Sequence, residues 1–187
     1  LNNVIISEMR KWGVFDIPGA EWRKSEKTLD LPNGSRIIFE SADNPRKIDR
    51  LRGLNLAWFW IDEAAILDAE VWDVLTGRLR TGEYRNGSVT TTPRGYNWIY
   101  EEFGEIEGEA RVLELGDGVE ATIIDGADTR SILGVPTHSN PFTPMDYKED
   151  VEEYEGQHYE QEALGNFVQF EGLVYPWFNS DDHVLEP

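Results

Sequence analysis

Two adjacent carboxylates, Asp62 and Glu63, close an unbroken apolar run that includes Trp58, Phe59, Trp60 and Ile61. Such a pair can divide the work of phosphoryl chemistry. The first carboxylate holds Mg2+ through water, because Mg2+ prefers oxygen ligands and dehydrates reluctantly. The second orients or deprotonates the water that attacks a γ-phosphate. Thr90, Thr91, Thr92 and Pro93 follow after one helix and one strand. A hydroxyl at that place can change partner when phosphate leaves. Arg52, followed by Gly53, stands ten positions before Asp62. A guanidinium there can supply charge to a phosphoryl-transfer transition state, in cis or from a neighbouring subunit. Each signal also has a plain reading: a strand meeting solvent, a β-branched strand stopped by proline, an arginine on a solvated loop. His138 and His158 have no second ligand at a useful spacing and read as surface or linker residues.

The elements that must position these groups follow from the pattern. Residues 29–41 read as two short strands around a Pro-Asn-Gly turn. Residues 43–53 are polar and basic and read as a loop or short helix. The run from Leu56 to Ile61 lacks alternation, which predicts a strand buried on both faces, as in the middle of a parallel sheet. Val71, Leu75 and Leu79 recur at helical spacing within 69–80. Residues 88–92 are β-branched and read as the next strand, and 95–103 as a helix carrying Trp98, Ile99 and Phe103 on one side. Strand, acid pair, helix, strand and Thr-Thr-Pro together make a βαβ rhythm. Ligands of such sheets bind at the carboxyl ends of the strands, where Asp62 and Glu63 fall in a Walker B arrangement. Short strands are expected at 111–115, 121–124 and 132–135, and two helices broken near Gly156 over 145–167. The tryptophans at 12, 22, 58, 60, 72 and 98 read as packing residues rather than base-stacking platforms.

Composition narrows the classes. The 187 residues suit one domain or one domain with a short appendage. Hydrophobic residues make up 40%, enough for a core. There is no cysteine, hence no disulfide or thiolate metal site. No apolar run approaches the roughly 20 residues of a membrane span. The net charge of -19 is lopsided: residues 1–95 hold 14 basic and 14 acidic side chains, residues 96–187 hold 3 and 22. A basic cluster, Arg46, Lys47, Arg50 and Arg52, sits in the neutral half, which points to two surfaces with different partners. Twelve arginines against five lysines, beside many acids, is a composition associated with high-salt proteins.

Taken in order, LRGLNLAWFWIDEAA, EVWDVLTGRLR, TTTPRGYNWIYEEF, THSNPF and HYEQEALGNFVQFEGLVYPWF resemble the large subunit of tailed-virus (bacteriophage or archaeal virus) terminase. The resemblance covers residues 46–178. It implies an α/β P-loop NTPase of the ASCE type: a mostly parallel sheet flanked by helices, incomplete at the N-terminus, with a small helical linker subdomain. It implies the later part of an ATPase motor over 1–139, the linker over 140–170 and the start of a connection to a nuclease over 171–187. Asp62 would be the Walker B carboxylate on the metal side and Glu63 the catalytic glutamate. Thr91, Thr92 and Pro93 would form the coupling motif, with Thr90 at its edge. Arg52 matches the family's trans-acting finger, although Arg46 and Arg50 stand close by. Glu162 and Phe167 would lie in the linker subdomain.

The cofactors implied are ATP and Mg2+. The partners implied are double-stranded viral DNA, a portal protein, a terminase small subunit and further copies in a ring on the procapsid, in the host cytoplasm and without a membrane. The family also carries a glycine-rich phosphate loop upstream, and no G-x-x-x-x-G-K-[ST] pattern occurs in these residues. With no initiator methionine at Leu1, the sequence reads as the middle of a longer protein, inactive by itself. Asp181 and Asp182 precede the expected first nuclease strand and are not read as metal ligands. Two other readings use the same residues: another P-loop DNA translocase or helicase, and a non-catalytic acidic α/β module.

Overall fold

The computed structural model describes residues 2–104, 106, 108–114, 120–125, 131–141 and 143–168. The expected connection over 171–187, with Asp181 and Asp182, lies outside the described residues. The described residues fall into two compact units. One comprises residues up to Phe59 together with Leu67–Gly87; the other comprises Trp60–Ile66 and residues from Ser88 onward.

The first unit opens with α1 (Asn2–Lys11) and a three-strand antiparallel sheet of β1 (Glu21–Arg23), β2 (Thr28–Asp30) and β3 (Arg36–Ile38) in that order. The Pro-Asn-Gly turn joins β2 to β3 as expected. Gly34 there has a φ of 84°, a left-handed conformation that glycine adopts at little cost. The Asn33 side chain accepts a hydrogen bond from Ser35 N at 3.0 Å, closing an Asx turn. Asp30 sits opposite Arg36 in the register. The hydrogen bond from Arg36, helped by the charge of Arg23, holds the Asp30 carboxyl below its usual range. Trp22 packs edge-on between Phe15 and Phe39.

Next come α2 (Pro45–Leu51) and α3 (Ala69–Thr76). Each starts where a side chain accepts an orphan N–H, which is the physical basis of capping: Asn44 from Lys47 N and Asp68 from Glu70 N. Pro45 at the first helical position cannot donate and loses nothing there. On α3, Val71, Val74 and Leu75 are buried, and Trp72 meets Phe59 edge-on at 5.6 Å.

The strand β4 (Trp58–Asp62) pairs with β5 (Asn86–Thr90). Ala57 O accepts from Asn86 N near their starts, and Thr90 donates to Asp62 near their ends, so the two run parallel. The β4–α3–β5 order is the expected βαβ unit. Among the described residues, parallel pairing is confined to it and to an isolated bridge between Leu56 and Leu79. The expectation of a strand buried on both faces is corrected. The β4 side chains alternate, with Phe59 and Ile61 buried and Trp58 and Trp60 exposed by 52% and 43%. Within the first unit, α3 meets the Phe59 side of the strand, while Trp58 projects to the other side. Tryptophan counts as apolar, and that hid the alternation. The packing reading of the tryptophans is corrected likewise at Trp12, which is 72% exposed, and at Trp58 and Trp60. It holds at Trp22 and Trp72, which sit in ring contacts.

In the second unit, Pro93 is buried and ends the strand region, and Ile99 is buried on the helical segment that runs into a π-turn at Tyr100–Gly104. The strands β6 (Ala110–Glu114), β7 (Glu120–Asp125) and β8 (Ser131–Gly134) form an antiparallel meander. The helices α4 (Met145–Glu152) and α5 (Gly156–Glu162) follow, broken before Gly156 as the sequence predicts. Among the described residues, no helix is long and apolar enough to cross a membrane.

Candidate active site

The site is built within the second unit, where β4 and β5 end. Beyond Asp62 the chain turns sharply. Glu63 has a φ of 52°, a left-handed conformation that a non-glycine residue holds at a cost of order 1–3 kcal/mol. A single 3-10 turn over Ala64–Ile66 follows, with Ile66 N donating to Glu63 O at 3.2 Å. The turn leaves Asp62 half-buried at the strand end and lifts Glu63 into solvent.

The Thr-Thr-Pro segment is fastened to this turn by side chains. Thr90 Oγ1 donates to Asp62 Oδ1 at 2.9 Å and accepts from Trp60 Nε1 at 2.8 Å. Thr91 Oγ1 accepts from Ala65 N at 3.1 Å and donates to Thr92 O at 3.0 Å, so its hydroxyl proton is committed. Asn97 Nδ2 donates to Ala65 O at 3.2 Å, while its Oδ1 accepts from Ile99 N. Ala65 is thus held at both its N–H and its carbonyl. Beside this clip lies a cleft of about 790 Å3, lined by Glu63, Ala65, Ile66, the segment 91–97 and the α5 residues His158, Gln161 and Glu162.

The structure therefore brings together four of the sequence-predicted residues, Asp62, Glu63, Thr91 and Thr92. Arg52 belongs to the other unit. It closes α2, pairs with Asp49 and Glu70, and its carbonyl accepts from Arg78 Nη1 at 2.8 Å. The residue that sequence reasoning undervalued is Thr90, set at the edge of the motif yet bonded to Asp62. Asn97 and Trp60 were missed as site residues. The spacing of Trp60 two positions before Asp62, on one side of a strand, is the signal that would have found the second. Arg94 also lines the cleft, is exposed and has no ion pair among the described residues.

The donor set suits Mg2+. Asp62 Oδ1 takes one hydrogen bond, and a carboxylate offers about four lone-pair positions, so acceptor capacity remains. No group of three or more His, Cys, Asp or Glu that could hold a metal occurs among the described residues. One carboxylate completed by water and substrate phosphate is how Mg2+ is ordinarily held, rather than in an all-protein cage.

The family described as "Terminase large subunit, T4likevirus-type, N-terminal" matches residues 3–181. The PBSX phage terminase large subunit of Bacillus subtilis (strain 168) is 33% identical over 161 residues, 83% of this chain and 36% of that protein. A terminase large subunit of Thermus phage G20c is 33% identical over 85 residues, 42% of this chain and 16% of its own length. The chain thus spans about a third or less of these relatives. Among solved structures, the large terminase of a thermophilic bacteriophage superposes with a TM-score of 0.62 at 19% identity, over 96% of this chain and 43% of that one. Another crystal form of that large terminase, in complex with ADP, gives 0.61 at 19% identity, over 97% and 44%. These structural likenesses place the fold among large terminases.

Proposed function

Because the chain belongs to the terminase large subunit family, T4likevirus-type, we propose that it carries the hydrolytic edge of an ATPase motor that drives double-stranded viral DNA into a procapsid. The observation that carries this reading is the fastening of the Thr-Thr-Pro segment to the acid pair: Asp62 to Thr90, Ala65 to Thr91, Ala65 to Asn97. A reaction at the acid pair is thereby mechanically tied to a loop that continues toward the rest of the unit. ATP is the nucleotide, in keeping with the ADP held by the large terminase of the thermophilic bacteriophage.

Asp62 would hold Mg2+, which when bound supplies positive charge to the phosphate oxygens. Glu63, lifted into the cleft by its left-handed turn, orients the attacking water and takes its proton. Thr92, exposed on the cleft, contacts that water or the leaving phosphate. Thr91 has no free hydroxyl proton and holds the loop. Arg94 brings a positive charge to the same cleft and would meet phosphate there. Arg52 would act on a neighbouring copy in the ring, with Arg46 and Arg50 as alternatives, and would have to leave its ion pair with Glu70 to do so. Residues 1–139 belong to the motor and 140–170 to the helical linker in this reading. The portal protein, the small subunit and the host cytoplasm come with the packaging role. These residues contain no phosphate loop, so the chain by itself would hydrolyse ATP poorly.

The test is the Mg2+-dependent ATPase of the full-length protein. Asp62→Ala should reduce it by about 100-fold or more, the order expected when a charge-stabilising group is lost. Activity within a few-fold of wild type would favour the non-catalytic module instead.

A further inference from the structure

Hydrogen-bond arithmetic at β4 and β5 assigns a role to a residue outside the acid pair and the Thr-Thr-Pro motif. An indole N–H is a donor only, whereas a threonine hydroxyl has one proton and accepts through its lone pairs. Trp60 Nε1 lies 2.8 Å from Thr90 Oγ1, and Thr90 Oγ1 lies 2.9 Å from Asp62 Oδ1. The indole proton must point at Thr90. The carboxylate, being an acceptor, can only receive the Thr90 proton. Each donor is therefore spoken for, and the chain runs one way, from Trp60 through Thr90 to Asp62. Trp60 and Asp62 are two apart on β4, so their side chains leave the strand on the same side. Thr90 ends the neighbouring strand between them. The half-exposed Trp60, which fills no core, has its one polar atom bound to this chain.

We propose that Trp60 and Thr90 are positioning residues for the metal-side carboxylate: the indole fixes the rotor of the Thr90 hydroxyl, and the hydroxyl fixes the orientation in which Asp62 meets its cation. Bonds that orient a ligand from behind are a general device for tuning metal sites. The inference rests on the reading of Asp62 as the Mg2+ carboxylate, but the bonded chain is testable apart from it.

The experiment uses the full-length protein with 15N-labelled indoles, the Trp60 N–H resonance being assigned by its loss in Trp60→Phe. Thr90→Val, which keeps the shape and removes the hydroxyl, should move that resonance upfield and speed its exchange with solvent. Thr90→Ser should leave it near the wild-type position. In ATPase assays over a Mg2+ series, Thr90→Val and Trp60→Phe should raise the half-saturating Mg2+ concentration by about 10-fold or more with little change in the KM for ATP, and Thr90→Ser should restore it. An indole resonance that does not respond to Thr90→Val overturns the bonded chain whatever Asp62 does. A responding resonance with an unaltered Mg2+ dependence overturns the positioning role. Failure of the site reading itself is seen separately, as an unimpaired Asp62→Ala ATPase.

Discussion

At the scale of single residues, the site is governed by which hydrogen-bonding capacity is already committed. Glu63 is exposed and held in a left-handed conformation, so its carboxylate has been set by the turn and not by packing. Thr91 is the opposite case: its hydroxyl takes the Ala65 N–H and gives its own proton to Thr92 O. Thr91→Val leaves Ala65 N without a partner in a half-buried place, and an orphaned donor costs about 1–3 kcal/mol. Thermal unfolding should show that loss in Thr91→Val and almost none in Thr91→Ser. Equal stability of the two would mean the clip to Ala65 is not made. The sequence set Thr91 and Thr92 within the motif and Thr90 at its edge. Only the geometry separates Thr90, which serves the carboxylate, from Thr91, which serves the backbone. Hydroxyl partners depend on distances of a few tenths of an ångström, which residue spacing does not encode.

At the scale of elements, the β4–α3–β5 unit was legible because its signals are local. Residues 56–61 are apolar, and Val71 and Leu75 recur at helical spacing on α3, although the helix ends at Thr76, short of the expected Leu79. The turn between β2 and β3 was legible for the same reason, from Asn33 and Gly34. What the sequence hid was burial, since Trp58 and Trp60 look like core residues and lie on the exposed side of β4. The strand β1 was also missed, because three residues, Glu21–Arg23, carry no period to read. Within this unit Gly87 is a fixed point. A Cβ there would overlap the Phe59 ring at Cζ, and Phe59 is buried against Trp72 and cannot swing aside. Gly87→Ala should therefore destabilise the protein by about 1–3 kcal/mol, the usual cost of overpacking. Unchanged stability in denaturant unfolding would show that the ring has room to move.

At the scale of the whole molecule, the charge imbalance and the two units give the residues different surroundings. The acid pair and the Thr-Thr-Pro segment share one unit, and the basic cluster at 46–52 belongs to the other, with Arg52 held by Asp49 and Glu70. A net charge of -19 would alone argue against nucleic acid, but it resides in residues 96–187, where 22 acids meet 3 bases. The family was legible in the ordered motifs, and its match over residues 3–181 bears that out. The proposed ring assembly and DNA contact depend on surfaces that meet other molecules, and no local pattern encodes those. In the proposed function, Glu63 performs hydrolysis at a nucleotide that other residues bind. Glu63→Gln in the full-length protein keeps the size of the side chain and removes its basicity. Binding of ATP should stay at the wild-type Kd while turnover falls by about 100-fold to 10,000-fold, the range of a lost general base. Wild-type turnover in Glu63→Gln would contradict that claim.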